Sequence, residues 1–143
     1  MPQNLSIENL IVLANYTVLP QWILMILLPK WKWTQKLIDS YLIPFLLGAI
    51  YLYFFIMILP KFRSGYTNVT FFRILFSGQK VFLVLWFHIL IFDLIVGAYV
   101  CADAVKSSVA WWARIISLIL ILFTGPLGFL VYQGLFKTKT FKK

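Results

Sequence analysis

Residues 81–102 read VFLVLWFHILIFDLIVGAYVCA, an apolar run set between Lys80 and Asp103. Its length matches the roughly 20 residues that a helix needs to cross the hydrocarbon core of a bilayer. In lipid such a run must be helical, because only a helix satisfies its own backbone hydrogen bonds. Three further runs of the same kind lie on either side. The first is 10–28, closed by Pro29 and Lys30; the second is 41–59, closed by Pro60 and Lys61; the last is 115–136, between Arg114 and Lys137.

Composition agrees with lipid as the solvent. Hydrophobic residues make up 62% of the 143 positions and charged residues 12%, against roughly half and about a quarter in a soluble domain. A short soluble fold could not bury that much apolar surface. The expected architecture is all-α: one integral membrane domain, residues 1–143, with four transmembrane helices. The short polar stretches 29–40 and 103–114 read as turns between antiparallel neighbours, which predicts an up-down-up-down bundle. The longest loop spans residues 60–80. Within it Phe71, Phe72, Leu75 and Phe76 share one helical stripe with Arg73 off it, the pattern of a short amphipathic interfacial helix.

Thirteen Lys and Arg against four acids give a net charge of +9. The bases sit between and after the apolar runs, where they suit anionic lipid headgroups; no basic face or module points to nucleic acid. With four crossings, Lys61, Arg63, Arg73, Lys80, Lys137, Lys139, Lys142 and Lys143 fall on one side, and Lys30, Lys32, Lys36, Lys106 and Arg114 on the other. That balance puts both termini on the cytoplasmic or stromal side. Trp31, Trp33, Trp111 and Trp112 accompany the smaller set and suit the headgroup layer. Cys101 is the one cysteine, which excludes an internal disulfide and a cysteine-based metal site. Glu8 and Asn9, not basic residues, precede the first run, so it reads as a retained helix and not a signal peptide.

Chemistry concentrates in the run 81–102. An ionised carboxylate near mid-membrane costs about 2.5–3.5 kcal/mol on insertion scales, so such residues face the bundle interior and pair, or hold a proton. Asp93 is therefore a candidate site residue, with a plain interhelical hydrogen bond as the alternative. His88 lies five residues earlier, roughly 140° around the helix and about 7.5 Å along it, so the two do not pair on one face. Trp86, Asp93 and Gly97 share a face, and Gly97 leaves room for another backbone to approach near Asp93. Pro20 removes the hydrogen bond to the Tyr16 carbonyl next to Asn15, and Gly125-Pro126 does the same for Leu122. Freed carbonyls at membrane depth need partners or a lined cavity. The expected pocket is lined by Asn15, Asp93 and the Gly125-Pro126 break. One histidine and no HxxxH pattern exclude a di-iron hydroxylase.

These residues carry a family resemblance. The run Trp86-x-His88-x-Leu90-x-x-Asp93-Leu94-x-Val96-Gly97 resembles the third-helix signature of the ABA4-like proteins, related to the plant factor needed for neoxanthin synthesis. Asn15 to Trp33 (NYTVLPQWILMILLPKWKW) and Gly125-Pro126-Leu127-Gly128-Phe129-Leu130 resemble the family's first-helix and final-helix segments. The likeness covers about residues 10 to 135. Two departures stand out: Ala98 follows the glycine of the third-helix motif, where the family commonly has Arg, and Ala113-Arg114-Ile115 replaces the family's polar residues before the last helix.

The resemblance implies carotenoid metabolism in a thylakoid, plastid or cyanobacterial membrane, specifically the opening of a xanthophyll epoxide to an allenic alcohol. That is an isomerisation and requires no redox cofactor, though a carotenoid or chlorophyll could be bound. It needs an acid for the epoxide oxygen and a base for a nearby proton, roles open to Asp93 and His88, with Asn15, Trp86, Gly97, Gly125 and Pro126 as ligand-binding residues and no metal. Whether the chain is an enzyme stays open at this point. The alternative is a non-catalytic, pigment-binding subunit of a larger complex such as a photosystem, favoured by the missing Arg and the small chemical inventory. A transporter or channel component ranks behind both, since no inverted repeat is visible.

Overall fold

The computed structural model describes residues 6–60, 69, 73 and 76–137, and the regular structure among them is helical throughout. Helix α1 runs Ile7–Leu27, α2 Lys32–Ser40, α3 Leu42–Ile58, α4 Gln79–Lys106, α5 Trp111–Thr124 and α6 Pro126–Val131. A π-helical stretch, Tyr132–Lys137, continues from α6. Three helical stretches, Ile7–Leu27, Lys32–Ile58 and Gln79–Lys106, are long and apolar enough to cross a membrane.

Local chemistry sets several boundaries. Ser6 caps α1 by accepting from the Asn9 N–H at 3.2 Å, and Glu8 stands in the first turn at the positive end of the helix dipole. The stretch 29–40 is not a turn, as its polarity suggests, but contains α2. This helix buries Thr34 and Ile38 and turns Lys32, Trp33 and Lys36 outward. Lys36 Nζ lies 5.3 Å from the centre of the Trp33 ring, a cation–π pairing. Tyr41, at φ +50, separates α2 from α3.

The central element is α4, with α1 and α3 on its flanks and few contacts between those two. Asn15 meets Trp86 and Met25 meets Cys101, so α1 runs parallel to α4. Tyr51 lies beside His88, and Ile58 packs with Val81 and Val84, so α3 runs antiparallel to it. The core between them is built from Val18, Trp22, Met25, Leu47, Leu83, Phe87, Leu94 and Val100. Gly97 belongs to this core. A Cβ there would stand 2.6 Å from Trp22 Cη2, so the close approach it permits is that of the α1 indole, and not of a backbone near Asp93 as the helical spacing suggests.

The last apolar run departs most from expectation. A straight helix over 115–136 would carry its ends far apart; Trp112 and Phe136 would be about 36 Å from one another at 1.5 Å per residue. Their ring centroids are in fact 5.4 Å apart. Further along, a Cβ on Gly128 would fall 2.3 Å from the Ile121 backbone nitrogen. The segment is therefore a helical hairpin: α5 runs in, the chain reverses at Gly125, and α6 with its π-helical extension runs back along α5. Gly125 makes the reversal with φ +55 and ψ −101, a conformation open essentially to glycine alone. Pro126 then opens α6 at its first position, where the missing N–H costs nothing.

Two expectations fall with the straight fourth helix. At 14 residues, α5 is about 21 Å long, short of the roughly 30 Å hydrocarbon core, so the bundle is not four up-down-up-down crossings. The ends of the described chain also lie at opposite ends of the bundle. Ile7 lines one cleft with Gln79 and Phe82 at the start of α4, whereas Lys137 bonds Asp103 near its finish. The expected interfacial helix over Phe71, Phe72, Leu75 and Phe76 falls largely outside the described residues.

Candidate site at the hairpin tip

The hairpin tip reaches α4 about midway along its length, at Asp93. A Cβ on Gly125 would lie 2.8 Å from Asp93 Oδ1, so the carboxyl is seated directly against the reversal. Beside this contact opens a cleft of about 740 Å³. From α4 it is lined by Trp86, His88, Phe92, Asp93 and Val96, and from the hairpin by Leu122 to Pro126 and Phe129. Because the hairpin covers only one half of α4, the cleft lies under its tip and opens sideways between helices. Its walls are mostly apolar and aromatic, with one carboxyl and one imidazole among them.

The expected pocket is thus present in part. Asp93, Gly125 and Pro126 come together as the sequence suggests, and Trp86 and His88 line the same cleft. Asn15 does not line it. Its Oδ1 accepts from Trp86 Nε1 at 3.0 Å, fixing the indole that forms the wall, while its other side faces Val12, Tyr16 and Leu19. Gly97 is turned into the α1 packing. Asp93 forms no hydrogen bond or ion pair with any described residue, so the plain interhelical hydrogen bond is not made. His88 stands at the far edge of the cleft, 5.0 Å from the Phe92 ring and 5.9 Å from the Tyr51 ring. Among the described residues no group of three His, Cys, Asp or Glu side chains could hold a metal ion.

A second polar cluster holds the hairpin in place, and no spacing in the sequence announces it. Tyr132, fully buried, donates its hydroxyl to Asp103 Oδ2 at 2.6 Å. Lys137 Nζ donates to Asp103 Oδ1 at 3.0 Å and lies 6.0 Å from the centre of the Tyr99 ring. Near the same end Arg114, read from the sequence as a headgroup residue, is 9% exposed. Its Nη2 donates to the Ile26 carbonyl at 3.3 Å, a cation placed at the negative end of the α1 dipole. The neighbouring Cys101 thiol is buried and donates weakly to the Met25 carbonyl at 3.6 Å.

The Asp103 cluster makes a graded prediction. In Asp103→Ala the buried Tyr132 hydroxyl loses its acceptor, a loss of about 1–3 kcal/mol, and the detergent-solubilised protein should melt measurably lower. Lys137→Met should lower the midpoint less, since an ion pair at the rim contributes little. Equal losses in the two variants would show that the buried hydroxyl is not what the aspartate serves.

No curated protein and no solved structure matches this chain. A family model does, that of the ABA DEFICIENT 4-like proteins, over residues 10–132, from the start of α1 to the return arm of the hairpin. With most of its length so matched, including every residue that lines the cleft under the hairpin tip, the chain belongs to the ABA4-like family.

Proposed function

We propose that this protein binds a carotenoid in the cleft under the hairpin tip and isomerises an epoxide at its end-group. The observation that carries this reading is the Asp93 carboxyl, without a hydrogen-bond or ion-pair partner among the described residues, in an apolar aromatic cleft open between helices. Asp93 is half-buried, a carboxyl without a partner at membrane depth is costly, and a long apolar molecule with one oxygen function would give it a partner. In its neutral form Asp93 has a proton to give. It protonates the epoxide oxygen as the C–O bond breaks. His88, at the other edge of the cleft, takes the proton from the neighbouring chain carbon, and the electron pair of that C–H bond completes the allene. The substrate gains one proton and loses another, and passage of a proton from His88 back to Asp93 resets the site, so no redox cofactor takes part. Trp86, held by Asn15, and Pro126 would shape the wall against the end-group.

Product formation in a carotenoid-producing host tests the assignment. Asp93→Asn keeps the shape and removes the acid, and should lower conversion by about 100-fold or more, the usual scale of general acid catalysis. If Asp93→Asn leaves product unchanged and the protein co-purifies with a large pigment complex, the reading as a non-catalytic subunit takes over. That second reading draws on the position after Gly97, where the family commonly has Arg and this chain has a fully buried Ala98.

We further propose that α1, the α2–α3 stretch and α4 cross a thylakoid, plastid or cyanobacterial membrane and that the hairpin enters it from one side. Lys137 then lies at the Asp103 end, and the described bases divide as Arg73 and Lys80 at one end against Lys30, Lys32, Lys36, Lys106, Arg114 and Lys137 at the other. The Lys/Arg rule then places the C-terminus on the cytoplasmic or stromal side and the N-terminus opposite. Protease protection of tags in sealed vesicles checks this: only one of the two terminal tags should be cleaved, and cleavage of both would refute the odd number of crossings.

A further inference from the structure

The cleft does not end at His88. On the other side of that imidazole a second hollow of about 280 Å³ lies between α3 and α4, lined by Gly48, Tyr51, His88, Ile91 and Phe92. His88 and Phe92 line both spaces, so the two hollows adjoin across these side chains on the outer face of α4. Together they reach from Asp93 at the hairpin tip to Gly48 on α3. Rings stand along this path, with His88 5.0 Å from Phe92 and Tyr51 5.9 Å from His88. A Cβ built on Gly48 would meet nothing within 4 Å. This glycine therefore serves no close helix packing, and its missing side chain only keeps the hollow open.

We infer that the hollow beside Gly48 is the chain-binding arm of the site: it holds the extended apolar chain of the same molecule whose oxygenated end-group lies at Asp93. The inference rests on the carotenoid reading above and adds to it a residue that selects for length. Two features favour one long occupant. The two hollows adjoin, with His88 and Phe92 in the wall of each, and a row of aromatic rings is a surface on which a flat conjugated chain packs well. Gly48 is then a specificity residue, and His88 stands where end-group and chain join.

Binding to purified protein in detergent tests this with two probes, a full-length epoxy-xanthophyll and β-ionone epoxide, which carries the end-group without the long chain. Gly48→Leu should weaken the full-length probe by about tenfold or more, the equivalent of a couple of methylene contacts, and leave β-ionone epoxide within about twofold. Gly48→Ala, smaller and favourable in a helix, should weaken the full-length probe by less, so a graded series supports the inference even if the leucine variant folds poorly. Full-length binding unchanged in both variants overturns it and leaves the hollow to bilayer acyl chains, with the Asp93 reading intact. Equal weakening of both probes also overturns it, since Gly48 would then act on the end-group site. Failure of the full-length probe to bind the unmodified protein removes the carotenoid reading as well.

Discussion

Gly128→Val should open the hairpin and unfold much of the C-terminal third of the chain. The Cβ it introduces would fall 2.3 Å from the Ile121 backbone nitrogen and 2.7 Å from the Leu120 carbonyl carbon. These are backbone atoms of α5, so no side chain can rotate to relieve the clash. Small residues permit such approaches between helices in lipid, and overpacking a fixed contact costs about 1–3 kcal/mol or more. The separation of α6 from α5 would also strip the Asp103 partners from Tyr132 and Lys137, so a loss toward the upper end of single-substitution effects, about 3–5 kcal/mol, is expected. Cross-linking reads it directly. With Cys101 replaced by Ala, cysteines at 112 and 136 should join through a short bifunctional reagent, and Gly128→Val should abolish the product. Gly134→Ala is the control, since a Cβ there meets nothing within 4 Å. In a straight fourth helix Gly128 would stand about 10 Å along the axis from Ile121 and valine would be harmless. An unchanged melting point with cross-linking retained would therefore disprove the hairpin.

Gly125→Ala is expected to cost less stability and more activity. At φ +55 and ψ −101 an alanine carries backbone strain of about 1–3 kcal/mol. Its methyl would also sit 2.8 Å from Asp93 Oδ1, and the carboxyl must turn away to make room. A displacement of about 1 Å at a reacting group can lower a rate about 100-fold, so with Asp93 in the proposed role of acid, product formation should fall much further than the thermal midpoint suggests. A double-mutant cycle separates the two effects. In the Asp93→Ala background the clash is absent, so the stability lost to Gly125→Ala should shrink to the backbone strain alone. Full additivity in that cycle would mean that the carboxyl and the reversal are not in contact.

Both predictions concern glycines that the sequence presents only as interruptions of an apolar run. Hydropathy pointed to lipid as the solvent, to the helical class and to four spanning runs, because a run of about 20 apolar residues has one backbone answer in lipid; three of the four regions hold helical stretches long enough to cross a membrane. Acidity inside such a run marked Asp93, and the Gly-Pro pair marked a break. The family resemblance, carried by the same residues, holds over residues 10–132.

Whether a break bends a helix or reverses it is not written in hydropathy, which is the same for a 22-residue crossing and for two half-helices folded together. That depends on whether the two arms can touch. Here they do through Gly128 against Ile121 and through the tie of Tyr132 and Lys137 to Asp103, contacts between residues far apart in the chain. From that one reversal follow the opposite placement of the ends of the described chain, the burial of the Tyr132 hydroxyl, and the cleft left under the tip at Asp93. The amino-acid order alone determined that this chain is helical, apolar and marked by an acid in its third run. Tertiary packing decided what faces that acid, because period and composition act along one helix, whereas a site is made by what a second segment brings against it.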